Sequence, residues 1–133
     1  MNGSRDHAPL VLVVDDDENA RFMVEVVLQQ AGYRVVHAVD GESGLVAFRE
    51  HEPDLVVLDV RLPGMNGFEV CRELRREPRG RDTPVLMITG HDDPESIKLG
   101  YAAGANDFVS KAIGWREFAQ RVIRLKPPGS AAG

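Results

Sequence analysis

Apolar residues fall along this chain in short blocks that alternate between two periods. Leu10-Val11-Leu12-Val13-Val14 is an unbroken apolar run, the pattern of a strand buried on both faces. From Glu18 to Ala31 the spacing turns helical: Met23, Val26, Val27, Gln30 and Ala31 recur at i, i+3, i+4, i+7 and i+8, and Gly32 closes the segment. Arg34 to Ala38 reads as a second strand, and Asp40-Gly41-Glu42-Ser43 can cap a helix running to Glu50. Asp54 to Leu58 is a third strand. The turn cluster Pro63-Gly64-Met65-Asn66-Gly67 comes next, then a helix from Phe68 to Arg76 that Pro78 and Gly80 end. Pro84 to Ile88 is a fourth strand. Asp93 as N-cap and Pro94 at the first helical position open a helix that runs to Ala103. Ala105 to Ser110 is a short fifth strand, and Trp115, Phe118, Val122 and Leu125 share one face of a last helix.

Strands alternating with helices in this way predict an α/β fold with a parallel sheet, and right-handed crossovers place helices on both faces. The 133 residues suit one domain with a core of its own. Its expected limits are 9–126, with a flexible N-terminus over 1–8 and a flexible tail or linker stub over 127–133. The balance of 16 Lys+Arg against 21 Asp+Glu, net −5, argues against a grip on nucleic acid, which relies on clustered positive charge. The early apolar run is too short to cross a bilayer and lacks a cleavage pattern. A single cysteine, Cys71, cannot form an internal disulfide and fits a reducing, cytoplasmic compartment.

In open parallel sheets, sites form outside the carboxyl ends of the strands. The residues just past the apolar runs are Asp15, Asp16 and Asp17, then Asp59, then Thr89 and Gly90, then Lys111. Carboxylates brought together repel, and such a cluster is tolerated when it binds a cation or when a pKa rises. Oxygen-only ligation suits Mg2+, which keeps several waters and leaves room for a phosphate oxygen. Lys111 supplies a mobile positive charge for the same phosphate, and the Thr89 hydroxyl can donate to it. A carboxylate can itself be the nucleophile. Together the parts fit phosphoryl transfer onto an aspartate.

Four stretches, Val13-Val14-Asp15-Asp16-Asp17, Leu58-Asp59-Val60-Arg61-Leu62-Pro63-Gly64-Met65-Asn66-Gly67, Ile88-Thr89-Gly90 and Phe108-Val109-Ser110-Lys111, resemble the receiver domain of two-component response regulators. The resemblance covers roughly residues 9–126. It implies a flavodoxin-like doubly wound sheet of five parallel strands in the order 2-1-3-4-5. It implies that Asp59 accepts a phosphoryl group from a phosphohistidine on a sensor histidine kinase or phosphotransfer protein. Asp16 and Asp59 would then bind Mg2+ directly, Asp15 through water, with the backbone carbonyl of Arg61 as a further ligand. Lys111 would pair with the phosphate, Thr89 would swing toward it, and Phe108 would rotate inward. A downstream protein partner would read the face built from the fourth helix, fifth strand and fifth helix, where Lys98, Tyr101, Phe108 and Trp115 are the expected surface residues. The resemblance implies a phosphoacceptor with slow autodephosphorylation rather than a turnover enzyme. No output domain is expected after Leu125, so output is expected through protein contacts, with no direct nucleic acid and no membrane.

Simpler roles compete for some of these residues. Asp17 suits an N-cap, Phe108 a core position, and Pro63, Gly64 and Gly67 turn geometry. His7, His37, His51 and His91 lack metal-ligand spacing. Arg72, Arg75, Arg76, Arg79 and Arg81 read as a solvated face. Ala112 departs from the family, which usually has a cis-linked proline after the lysine. A cis bond before a non-proline residue costs about 2.5–4 kcal/mol, which predicts a trans or strained Lys111–Ala112 bond and an altered 111–114 loop. Arg61 and His91, two residues past Asp59 and Thr89, are expected to shield an acyl phosphate from water. Of the rivals, an aspartate-nucleophile phosphohydrolase needs an acid two residues after the nucleophile, where this chain has Arg61. A flavodoxin-type carrier needs a hydroxyl- and glycine-rich loop after the first strand. A receiver-like binding module that is never phosphorylated stays open.

Overall fold

The computed structural model describes residues 8–90 and 94–129. The elements run β1 (Leu10–Val14), α1 (Glu18–Gln30), β2 (Arg34–Ala38), α2 (Gly41–His51), β3 (Leu55–Asp59), α3 (Gly67–Arg76), a 3-10 turn (Arg79–Arg81), β4 (Val85–Thr89), α4 (Pro94–Ala103), β5 (Asp107–Ser110) and α5 (Trp115–Leu125). All pairings are parallel and the strand order is β2-β1-β3-β4-β5, as the resemblance implies. β1, β3 and β4 are buried along their whole length, because helices cover both faces of the sheet. β2 lies at one edge and exposes Arg34 and His37.

Alternate residues of each strand feed two separate cores. Leu12, Val14, Leu58 and Met87 pack against Phe48 of α2, Leu74 of α3 and Ala103 of α4. Val11, Val13, Leu86 and Ile88 pack on the other face against Val24 and Leu28 of α1 and Phe118 and Val122 of α5. Fully burying a side chain of this size is worth about 1.5–3 kcal/mol. The α1 stripe is therefore Val24, Val27, Leu28 and Ala31, not the predicted one. Met23 is 38 % exposed and Gln30 faces solvent. Both stripes satisfy helical spacing, but Val24 and Leu28 form one without a polar member, and that one turns to the sheet. On α5, Phe118 and Val122 are buried as expected, Leu125 is partly so, and Trp115 sets an edge against Phe118 with ring centres 5.8 Å apart.

Helix starts follow their capping residues. Asp17 caps α1 through Asn19 N–H, while Asp40 and Asn66 form reciprocal caps with Ser43 and Glu69. The expected cap Asp93 lies outside the described residues, as does His91.

β3 and β4 each start and end one residue later than predicted. The Asp54 carboxylate accepts from Leu10 N–H at 2.8 Å instead of joining the strand, and Pro84 has no amide to give. In consequence Asp59 pairs with Ile88 and Thr89 with Ser110, so both sit on the ladder rather than beyond it. β5 starts two residues late, since Asn106 spends its side-chain oxygen on Val85 N–H at 2.9 Å.

The arginine cluster is only partly a solvated face. Arg75 donates to the carbonyls of Gly80, Thr83 and Gly104 and to Asn106 Oδ1. Backbone carbonyls at turns lack intrahelical partners, and one guanidinium carries enough donors to meet several at once. Arg79 likewise donates to the Glu52 carbonyl at 3.1 Å, whereas Arg72, Arg76 and Arg81 are exposed as expected.

Candidate functional site

At the carboxyl edge of the sheet the apolar strands give way to charge within one residue. Val14 is followed by Asp15, which is buried and takes Asp17 N–H on Oδ1 at 3.0 Å. The backbone of Asp15 is held twice, by its own N–H on the Ala38 carbonyl at 3.1 Å and by Arg21, which donates to its carbonyl at 2.8 Å. Asp16 points to solvent and Asp17 serves as the α1 cap. Leu58 is followed by Asp59, also buried, whose Oδ1 accepts Arg61 N–H at 3.3 Å.

Lys111 joins the two buried acids. Its Nζ lies 3.2 Å from Asp15 Oδ2 and 3.2 Å from Asp59 Oδ2. Asp15, Asp16 and Asp59 each present one carboxylate oxygen within 4.8 Å of the others. Of the strand-end residues, the structure brings together Asp15, Asp16, Asp59 and Lys111, while Asp17 caps α1.

The electrostatics of this cluster are unfavourable as it stands. Burial, followed by the Asp15 charge, pushes the Asp59 carboxyl up to about 6, even though Lys111 and the Arg61 amide pull the other way. Burial pulls the Lys111 ammonium down, but Asp59 and Asp15 outweigh it and hold it above its ordinary value. The arrangement is short of positive charge, which a divalent cation would supply. Carboxylate oxygens on a magnesium sphere sit up to about 4.2 Å apart. The 4.8 Å span of the three acids fits that ion with one of them acting through water.

The neighbouring backbone is fitted closely. A side chain at Gly67 would drive its Cβ into the Asp59 carbonyl oxygen, and Gly67 N–H donates to the Val60 carbonyl at 2.8 Å. Gly64 has φ +75°, in the region that favours glycine. A depression of about 480 Å³ opens beside the cluster, lined by Asp16, Arg61, Leu62, Asn66 and Phe68 among others.

Thr89 is buried at the end of β4, and its carbonyl accepts Lys111 N–H at 2.6 Å. Phe108 is not a surface residue: it is 8 % exposed, with its ring against α4 where Gly100 leaves room. A Cβ at Gly100 would lie 2.6 Å from that ring. The alternation along β5 explains this, since Phe108 faces the same core as Met87. Lys98, Tyr101 and Trp115 are exposed as expected. The Lys111–Ala112 bond is trans, and no described peptide bond is cis.

Sequence reading missed Arg21 and Gly100. Arg21 lies six residues from the carbonyl it holds, a separation with no motif attached. A glycine inside a helix could have flagged Gly100 as a place of close approach.

Comparison with known proteins agrees with this geometry. The family model for the response regulator receiver domain matches residues 11–123. The transcriptional regulatory protein AfsQ1 of Streptomyces coelicolor is 40 % identical over 114 residues, covering 86 % of this chain and 49 % of that protein. The DNA-binding response regulator MtrA of Mycolicibacterium smegmatis is 42 % identical over 112 residues, covering 84 % of this chain and 48 % of MtrA. Among solved structures, the chemotaxis protein CheY4 of Vibrio cholerae superposes with a TM-score of 0.84 at 34 % identity, over 88 % of this chain and 98 % of CheY4.

These relatives overturn the expectation that nucleic acid has no place among the partners. MtrA is named for binding DNA, and this chain spans about half the length of the curated relatives it matches. Net charge constrains only the surface it is counted over, so the −5 of these 133 residues does not bear on a longer partnered assembly. No helix among the described residues is long and apolar enough to cross a membrane. With its strand order, its acid cluster and its match over residues 11–123, the chain belongs to the response regulator receiver domain family.

Proposed function

We propose that this receiver domain takes a phosphoryl group onto Asp59. The observation that carries the reading is Lys111 Nζ held 3.2 Å from both Asp15 and Asp59 at the mouth of an acidic cluster. With its carboxyl at about 6, Asp59 is mostly ionised at neutral pH and can act as a nucleophile. One carboxylate oxygen attacks the phosphorus of a phosphohistidine on a sensor histidine kinase or phosphotransfer protein. The new O–P bond forms as the P–N bond breaks, and the imidazole nitrogen leaves with the electron pair.

Asp15, Asp16, Asp59 and the backbone carbonyl of Arg61 would hold Mg2+, which supplies the positive charge that phosphoryl oxygens and carboxylates need in order to approach. Lys111 exchanges a carboxylate partner for a phosphoryl oxygen. The Thr89 hydroxyl, at the adjoining strand end, turns toward the same oxygens. Phe108 is already buried, so the phosphorylated state would hold the ring where Gly100 admits it, and α4, β5 and α5 carry the change outward to a downstream protein. The domain acts as a phosphoacceptor that slowly loses its phosphate, with Arg61 limiting access of water. A cytoplasmic setting suits its buried free thiol, Cys71. From the relatives we carry over that DNA is reached downstream in a longer protein.

The test is incubation with phosphoramidate and magnesium chloride, followed by intact mass. One added phosphoryl group is expected on the wild type and none on Asp59→Asn. No adduct on the wild type would favour the non-phosphorylated binding module.

A further inference from the structure

Ala112 has something a proline at that position would lack, a backbone N–H. That N–H donates to Ser110 Oγ at 3.0 Å. The next one, of Ile113, donates to the Ser110 carbonyl at 3.2 Å. Gly114 offers no side-chain cap to α5, and Ala112 is exposed. Lys111 itself is held by its N–H on the Thr89 carbonyl at 2.6 Å and by its ammonium on the two aspartates. Ile113 anchors the far side by packing into the core beneath α1 and α5.

Two consecutive amides after the lysine therefore close back onto one residue. A serine side chain that accepts a backbone N–H two residues on forms a local turn, which does for a flexible loop part of what a rigid ring would do. Ser110 can play this role only because its own backbone is fixed, paired with Thr89 at the last position of the β4–β5 ladder. Thr89, Ser110 and Lys111 thus form one unit, with strand pairing on one side and the serine-closed turn on the other.

We propose that Ser110 is a positioning residue for Lys111, taking over through its hydroxyl the loop restraint that a proline at 112 would give. The proposal rests on the phosphoacceptor reading for its kinetic consequence and on the loop geometry alone for its structural one.

The test compares wild type with Ser110→Ala, Ser110→Thr, Ala112→Pro and the double variant Ser110→Ala/Ala112→Pro. The rate of adduct formation with phosphoramidate and magnesium is followed by intact mass, and backbone amide exchange is read at Lys111 and Ile113. Ser110→Ala is expected to slow adduct formation by about two- to tenfold, the range one hydrogen bond carries, and to speed exchange at both amides. Ser110→Thr keeps the acceptor and should stay near wild type. In the Ala112→Pro background the donor is gone, so removing the hydroxyl should change nothing further. A merely structural serine would lower both backgrounds alike. An unchanged rate in Ser110→Ala overturns the proposal, and so does an equal loss in the proline background. If the wild type forms no adduct, the phosphoacceptor reading fails instead, and amide exchange then decides alone: no change at Lys111 and Ile113 on removing the hydroxyl overturns the positioning role.

Discussion

Replacing Asp59 by Asn should stabilise this protein at neutral pH, although it removes one partner of an ion pair. Burial and the neighbouring Asp15 move the Asp59 carboxyl from 3.8 to about 6. Each pKa unit corresponds to 1.36 kcal/mol between protonation states, so holding Asp59 ionised costs the folded state at most about 3 kcal/mol. With the Asp59 side chain only 5 % exposed, solvent screens little of this. The shift already includes the attraction of Lys111, which in the variant keeps Asp15 at 3.2 Å. A neutral amide of the same shape should therefore gain about 1–3 kcal/mol. The sign follows from proton uptake: a carboxyl whose folded pKa is raised binds protons more tightly in the folded state, so its stability falls as pH rises from 3.8 toward 6. The advantage of Asp59→Asn is full above that window and vanishes below it. Urea denaturation without divalent cations, at pH 7.5 and again near pH 4, approaches both limits. Added magnesium should stabilise wild type more than the variant and narrow the gap. A variant less stable than wild type at pH 7.5, or a gap that does not depend on pH, would refute the reasoning.

Two further perturbations act away from the acids. Arg75→Met leaves the carbonyls of Gly80, Thr83 and Gly104 without their guanidinium donor, and thermal unfolding should show a loss of about 2–4 kcal/mol that Arg75→Lys recovers only in part. Gly100→Ala places a methyl 2.6 Å from the Phe108 ring and should destabilise by about 1–3 kcal/mol. In a double-mutant cycle, Phe108→Ala should then cost less in the alanine background than in wild type, and additive losses would show that the ring and the methyl never meet.

The acid cluster was legible in the sequence because burial on both faces writes itself there as an unbroken apolar run. Where such a run stops at Val14 or Leu58, the next residue must lie at the edge of the sheet, and both proved to be aspartates facing Lys111. Helix faces were less legible. On α1 two adjacent stripes fit the same period, and only the positions of Val24 and Leu28 against Val11 and Val57 decide between them. Phe108 illustrates a different limit. Its period-2 position predicts burial, whereas its resemblance-based role predicted a surface residue, and packing against Gly100 required knowing which helix crosses β5. Arg75 was illegible for a related reason, since its acceptors are backbone carbonyls 5, 8 and 29 positions away, and main-chain oxygens carry no sequence signal.

The placement of strain in this molecule follows one rule. Both cores are apolar throughout, and the described residues leave no buried side-chain polar atom without a partner. Among the described carboxyls, the large burial penalty falls on Asp59, which with the buried Asp15 shares one ammonium. Neither could be moved inward, where desolvation would neutralise them, nor outward, where the solvent would screen them and the pKa of Asp59 would relax. At the rim of the sheet Asp59 holds its charge against burial and the neighbouring Asp15, so a cation or phosphoryl group bound there would change the energy of the fold. β5 carries Phe108 into the packing against α4, and Lys111 at the rim follows β5 directly, with Thr89 paired to Ser110 beside it. A variant that removes the burial penalty on Asp59, as Asp59→Asn does, should therefore also lose the phosphoryl adduct that the proposed function expects.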